Sequence, residues 1–275
     1  MKNIFKKILI LFVKTFTSPM KDKTRIAGVH TFYSKLLFSK GNKLEYDVEN
    51  NIYWCKDGET YLYAEEAANF NFSKKKLYDS ALRICCKIYV PKPGDLIIDV
   101  GAGVGTEFVF FMDKIGDSGK LYNVEASPST YKKLDLLAKK NNISNYENFN
   151  LAISNKNGEI WIEENVEHQK AQINTSKKGD LIKAITLDDF IKQNNIKEIA
   201  FIKMNIEGAE YDAIDGMTES IKVTQNIAVS CHDFLFEKNG RIRNKFIAFL
   251  KQNGFEVFEN NQGHEVVDSW IYGKR

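Results

Sequence analysis

The sequence predicts an α/β fold: a doubly wound, mostly parallel sheet that ends in an antiparallel hairpin, preceded by an N-terminal helical and short-strand extension. Three observations carry this. From Asp95 onward short apolar strands alternate with helical segments, the pattern of a parallel sheet with right-handed crossovers. A glycine-rich stretch, Asp99-Val100-Gly101-Ala102-Gly103-Val104-Gly105, falls between the first of these strands and its helix. Near the C-terminus FEVFE and VVDSWIY are separated by a short polar turn. They must pair antiparallel, because a parallel crossover needs roughly a dozen residues or more.

The elements follow in order. LIIDV (96–100) suits a strand buried on both faces, and a helix follows from about Thr106 to Lys114. LYNVE (121–125) is the second strand. Pro128 opens a helix to about Lys140, proline being tolerated in a first turn. Residues 146–152 and 159–163 read as strands, and 165–184 as polar and irregular. Thr186, with Asp188 and Asp189, is the start of a capped helix. IAFIKMN (199–205) is a strand, and a mostly helical stretch runs from Gly208 to about Ile221. NIAVSC (226–231) is the next strand and RIRNKFIAFLKQN the next helix.

Residues 91–275 form this main domain, and residues 1–90 the extension. Within the extension, residues 1–40 are helical and basic. LEYDVENNIYWCKDGETYLY (44–63) places β-formers around turns at Asn50–Asn51 and Asp57–Gly58. A helix over 74–90 is ended by Pro91 and Pro93.

Composition excludes some classes. A net charge of +3 with acids and bases interspersed lacks the basic stripe of a nucleic-acid binder. Cys55, Cys85, Cys86 and Cys231 form no C-x-x-C pair. They read as buried free thiols in a reducing, cytoplasmic compartment rather than a zinc site or a disulfide framework. No stretch has the length of a transmembrane helix. In MKNIFKKILILFVKTF, Ile4, Ile8, Leu9, Phe12 and Phe16 share one helical face, with Lys2, Lys6 and Lys14 elsewhere. Two readings stay open: a helix packed on the body, or residues 1–16 lying peripherally on an anionic membrane at its inner face.

The glycine stretch lets a ligand approach the backbone closely, at the carboxyl ends of the strands where doubly wound sheets bind ligands. A dinucleotide fingerprint needs G-x-G-x-x-G. Counted from Gly101 and Gly103, its third glycine falls on Thr106. The actual spacing, G-x-G-x-G, fits a nucleoside cofactor without a pyrophosphate. Glu125 at the end of the second strand supplies a carboxylate for both ribose hydroxyls.

On IIDVGAGVGTEF, YNVEASPSTYKKL, NLAISNKNGEIWI, ITLDDF and FIKMNIEGAEYDAIDGM, the chain resembles the FkbM-type family of S-adenosylmethionine-dependent O-methyltransferases. The most specific block is K-x-x-x-E-G-A-E, Lys203 to Glu210. The resemblance implies a seven-stranded Rossmann-like sheet and S-adenosylmethionine as cofactor. It implies that Asp99, Gly101, Ala102, Gly103, Gly105 and Glu125 line the cofactor site, with Ala152 near the adenine. It also implies an acceptor hydroxyl on a sugar, glycan or other polar small molecule, as in polysaccharide or natural-product pathways. The chain departs from the family at Asn205, where an aspartate is usual; an amide is neither a carboxylate base nor a strong metal ligand.

A hydroxyl acceptor must lose a proton, so a base near the sulfonium helps. The candidates lie where the middle strands end: His232, whose pKa range suits a base, and Glu207. For each a structural role stands beside the catalytic one: a hydrogen-bonded histidine, and a carboxylate facing a helix N-terminus. His168 sits in the polar 165–184 segment, and His30 and His264 carry no signal. No tight ligand spacing points to a metal. Two other functions remain: a non-catalytic membrane-associated scaffold, suggested by Asn205 and the basic N-terminus, and an NAD-dependent oxidoreductase, against which the residue at 106 speaks.

Overall fold

The computed structural model describes residues 2–38, 42–67, 72–164, 171–174, 178–233 and 241–275; His168 lies outside them. The chain divides into two units, residues 1–79 with 139–141, and residues 80–138 with 142–275.

In the first unit, helices α1 (Lys2–Thr17) and α2 (Lys23–Leu37) precede strands β1 (Lys43–Asp47), β2 (Ile52–Asp57) and β3 (Thr60–Ala64). Asp22 starts α2 by accepting the N–H groups of Thr24 and Arg25. The strands form an antiparallel meander in the order β1-β2-β3, and its tight turns hold Asn51 and Gly58 at positive φ. Helix α1 meets α2 through Val13 and Thr17, both buried. The Thr17 Oγ1 lies 3.2 Å from Nε2 of buried His30. Of the two readings left open for its apolar face, the packed one is not what is seen: Ile4, Ile8, Phe12 and Phe16 are exposed and Leu9 is half-buried. The buried face of α2 is Ala27, His30, Ser34 and Leu37. Its mostly small and polar side chains favour close approach by valine and threonine over a seam of large apolar ones.

Helix α3 (Lys74–Arg83) is shorter than the expected 74–90, since the Cys86 N–H reaches back to the Ala81 carbonyl and closes the helix. The second unit then runs β4 (Leu96–Val100), α4 (Phe108–Ile115), β5 (Lys120–Val124), α5 (Pro128–Lys140), β6 (Tyr146–Phe149), β7 (Ala152–Ile153), β8 (Gly158–Glu164), β9 (Ala171–Asn174) and β10 (Asp180–Ile185). It continues with α6 (Leu187–Gln193), β11 (Ile199–Met204), α7 (Glu210–Ala213), β12 (Thr224–Ser230), α8 (Arg241–Gln252), β13 (Glu256–Glu259), α9 (Glu265–Asp268) and β14 (Trp270–Lys274).

The main sheet has seven strands in the order β13-β14-β12-β11-β4-β5-β6. The five from β12 to β6 are parallel. Strand β14 pairs antiparallel with β12 and with β13. This is the parallel sheet with a terminal hairpin that the strand–helix alternation predicts. Ile97, Ile98, Ile202, Met204, Ile227 and Val229 are essentially inaccessible, each contributing about 1.5–3 kcal/mol by burial.

Three further expectations need correction. The segment read as irregular contains β9 and β10, which join β7 and β8 in a second, four-stranded sheet of order β7-β10-β8-β9. The charged Asp180 and Lys183 mask the buried Ile182, Ala184 and Ile185. The helix expected over 208–221 is one short turn, α7, with 3₁₀ turns at Ile214–Gly216 and Ser220–Val223. Gly216 packs where a Cβ would meet the Ser154 carbonyl at 2.5 Å. Within VVDSWIY, the valines belong to α9, and the strand starts only at Trp270. Thr186 does cap α6, accepting the Asp189 N–H at 3.0 Å.

Candidate active site

The glycine stretch leaves the end of β4 and is held by its neighbours on both sides. On one side, the Gly101 and Ala102 N–H groups both donate to the Val124 carbonyl at the end of β5. On the other, the parallel register sets Asp99 of β4 opposite Lys203 of β11. The Lys203 Nζ lies 2.9 Å from Asp99 Oδ1 and donates to the Gly101 carbonyl at 2.7 Å. Both side chains are buried. Burial pulls Lys203 down, but Asp99 and Glu107 outweigh it and hold the ammonium above the usual lysine range. Burial pushes the Asp99 carboxyl up against the pull of Lys203, and one ammonium between two carboxylates cannot favour both ionised forms equally.

The three glycines serve three purposes. A Cβ on Gly101 would lie 2.0 Å from the Asn205 carbonyl oxygen, and one on Gly105 would lie 2.7 Å from a Leu137 methyl. These two allow β11 and α5 to pack against the loop. A Cβ on Gly103 would meet nothing within 4 Å: the loop is open there. All three have positive φ, which glycine adopts without steric cost.

Glu125, the residue after β5, reaches back across this opening. One oxygen accepts the Gly103 N–H and the other the Ser127 N–H, both at 2.8 Å. Burial pushes its carboxyl up, and the two N–H groups pull it partly back. A carboxylate offers about four acceptor positions, so two such bonds leave capacity for ribose hydroxyls. Asn150 ties the next segment to the same place, its side-chain NH₂ donating to the carbonyls of Glu125 and Ala126. Ala152 follows two residues later, buried in β7. An acidic acceptor beside an open glycine suits the adenosine portion of S-adenosylmethionine. Asp99 is fully buried and turned to Lys203.

The second cluster stands at the ends of β11 and β12, where Met204 is opposite Val229. Three residues beyond each come Glu207 and His232, with Glu207 Oε1 3.6 Å from His232 Nε2. His232 Nδ1 lies 2.8 Å from Oε1 of the fully buried Glu210. Glu210 in turn accepts the Ile206 and Gly208 N–H groups, each at 2.8 Å. Glu207 and Gly208 are consecutive residues at positive φ, 53° and 101°, and this turn lets Glu210 fold back beneath them. A left-handed non-glycine residue costs on the order of 1–2 kcal/mol. Burial pushes His232 down, but the hydrogen bond and charge of Glu210, with the charge of Glu207, outweigh it and hold the imidazole above its ordinary value.

The structure thus brings Glu207 and His232 together and sets Glu125, at the end of β5, against the loop that holds Gly101, Ala102 and Gly103. Glu210, Lys203, Ser127 and Asn150 were given no role by sequence reasoning. Glu210 and Lys203 were visible as the two ends of the K-x-x-x-E-G-A-E block, but nothing in the spacing says which partners they meet. At Asn205 the backbone makes the contacts: its N–H donates to the Val100 carbonyl, and its own carbonyl abuts Gly101. Among the described residues, no group of three or more His, Cys, Asp or Glu side chains is arranged to hold a metal ion.

A family model described as the methyltransferase FkbM domain matches residues 99–257, more than half of the chain. Among solved structures, the methyltransferase FkbM from Methylobacillus flagellatus KT is similar at a TM-score of 0.50 and 15% identity, over 66% of this chain and 43% of that one. This chain therefore spans less than half the length of that protein. The fibrillarin of Aeropyrum pernix, solved with natively bound S-adenosyl-L-methionine, has a TM-score of 0.44 and 15% identity over 72% of this chain and 74% of its own. The fibrillarin pre-rRNA processing protein of Methanococcus jannaschii has a TM-score of 0.46 and 15% identity over 85% and 97%. At 15% identity the likeness to the Methylobacillus protein is one of fold. Comparison with curated proteins gave no match. The match across both clusters decides the matter: the chain belongs to the FkbM family of S-adenosylmethionine-dependent methyltransferases.

Proposed function

We propose that the protein transfers the methyl group of S-adenosylmethionine to a hydroxyl of a sugar, a glycan or another polar small molecule in polysaccharide biosynthesis. We place it in the cytoplasm, at the inner face of the membrane. The observation that carries the chemistry is the pairing of His232 with Glu207 at the ends of β11 and β12, in the sheet whose β4 and β5 end in the glycine loop and Glu125. The sugar class comes from the family resemblance.

In this reading the bound cofactor supplies an activated methyl group, so the protein's work is positioning and proton removal. Glu125 accepts the ribose hydroxyls. Gly103 leaves room for the ligand, and Gly101, Ala102 and Gly105 hold the loop's path. Asp99 acts from beneath, through Lys203 and the Gly101 carbonyl, while Ala152 borders the adenine. His232 takes the acceptor's proton at Nε2, and Glu207 holds acceptor hydroxyls beside it.

A methyl-labelled donor, screened against nucleotide sugars and glycans, tests this. Label recovered on an acceptor oxygen supports the reading. Saturable S-adenosylmethionine binding with no transfer to any hydroxyl acceptor would leave a scaffold that keeps the fold. Binding of NAD in place of S-adenosylmethionine would sink it.

A further inference from the structure

Helix α1 contains no acidic residue and meets α2 by one side only, through Val13 and Thr17. Its opposite side presents Ile4, Ile8, Leu11, Phe12 and Phe16, each between 53% and 66% exposed. The Phe12 and Phe16 rings stack with centroids 6.1 Å apart. At 3.6 residues per turn these five side chains cover roughly 140° of the helix surface, a width that normally faces a core. Exposed Lys7 and Lys14 lie along one border of the stripe. The outward face of α2 adds Phe32 and Leu36, 64% and 65% exposed.

The charge distribution singles out the same region. Residues 1–44 hold ten Lys and Arg against one acid, Asp22, a net +9. The whole chain is +3, so residues 45–275 carry −6. No helix among the described residues is long and apolar enough to cross a membrane.

We propose that α1 lies in the surface of an anionic lipid membrane, with the stripe from Ile4 to Phe16 among the acyl chains and Lys7, Lys14 and the neighbouring cations against the headgroups. A broad apolar stripe bordered by lysines is the form of an interfacial helix, and anionic headgroups attract each nearby lysine. A second copy of the chain is the poorer occupant, because it would bring +9 against +9, whereas anionic lipid neutralises the charge. This extends the placement at the inner face of the membrane given above and does not depend on the methyl-transfer reading.

The test is sedimentation of the full chain with vesicles of phosphatidylglycerol and, separately, of phosphatidylcholine, with circular dichroism to show that each variant is folded. The expected result is saturable binding to phosphatidylglycerol, weakened by salt, and binding to phosphatidylcholine weaker by on the order of tenfold or more. Ile8→Glu with Phe12→Glu abolishes binding, and Lys7→Ala with Lys14→Ala weakens it by on the order of thirty-fold at low salt. Failure of the wild-type chain to bind phosphatidylglycerol overturns the proposal, as does equal binding to both lipids. So does a concentration-dependent dimer that the Ile8→Glu/Phe12→Glu variant abolishes, which would make a second copy the occupant. None of these readings uses methyl transfer, so the outcome stands apart from the catalytic proposal.

Discussion

Glu210 grips His232 at Nδ1, 2.8 Å away, while Nε2 faces Glu207 at 3.6 Å. Both Glu210 oxygens already accept backbone N–H groups, so the remaining bond is one that Nδ1–H donates. This fixes the neutral tautomer with its lone pair on Nε2, as a histidine base requires.

The first prediction concerns pH. His232 is held above its ordinary value, and only the neutral ring accepts a proton. The rate therefore rises with pH, with a midpoint above about 6.5, the unperturbed histidine value. Glu210→Gln keeps a hydrogen-bonding oxygen but removes the charge, so the midpoint moves to lower pH, in both the rate profile and an NMR titration of His232. The same shift has a stability counterpart. A raised folded pKa contributes stability fully below the unfolded value, lost as pH rises through the folded one. His232→Ala lowers kcat by on the order of 10²–10⁴-fold with cofactor affinity nearly unchanged. Full activity in that variant would remove the base role.

Gly103→Val tests the opening in the loop. Nothing lies within 4 Å of the added Cβ, and φ is +58°. The protein interior does not resist the substitution, though the backbone pays a local strain. The variant folds, and calorimetry with S-adenosylmethionine finds no binding. Unchanged affinity in a folded Gly103→Val would mean that the ligand does not lie over this loop.

Glu125→Ala removes the carboxylate that spans the Gly103 and Ser127 N–H groups. Loss of hydrogen bonds from ribose hydroxyls to a charged group weakens cofactor binding by about 1.5–3 kcal/mol. An unchanged dissociation constant would take Glu125 out of the ribose role.

The main sheet was legible because β4, β5, β11 and β12 are short apolar runs, each bounded by a glycine turn or a helix, and because the closing hairpin is too tightly connected to be parallel. The second sheet was not. In β10 Asp180 and Leu181 are both exposed and Ile182 is the one buried residue before Ala184, so the period-two signal is short and embedded in polar sequence. What the apolar face of α1 meets was not legible for a different reason. Periodicity shows that Ile4, Ile8, Phe12 and Phe16 share a side but not what that side meets. In the site, Glu207 and His232 were legible as strand-end residues. Glu210 was not, because its contact with His232 depends on two successive left-handed residues that bring the chain back on itself.

The last prediction concerns the pair beneath the loop. Lys203 Nζ lies 2.9 Å from Asp99 and donates to the Gly101 carbonyl, with both side chains buried. Removing one partner of a buried pair leaves an uncompensated charge, at a cost of roughly 3–5 kcal/mol, whereas replacing both with neutral groups of similar shape is close to neutral. Lys203→Met is therefore strongly destabilised in urea, and Asp99→Asn combined with Lys203→Met recovers part of the loss, Glu107 being left without the ammonium. The recovered double variant still lacks the donor to the Gly101 carbonyl, so its S-adenosylmethionine affinity stays below that of the wild-type chain. Denaturation midpoints and calorimetry separate the two effects. A Lys203→Met chain as stable as the wild type would show that Asp99 is satisfied without the ammonium, and wild-type affinity in the double variant would show that the loop keeps its shape without Lys203.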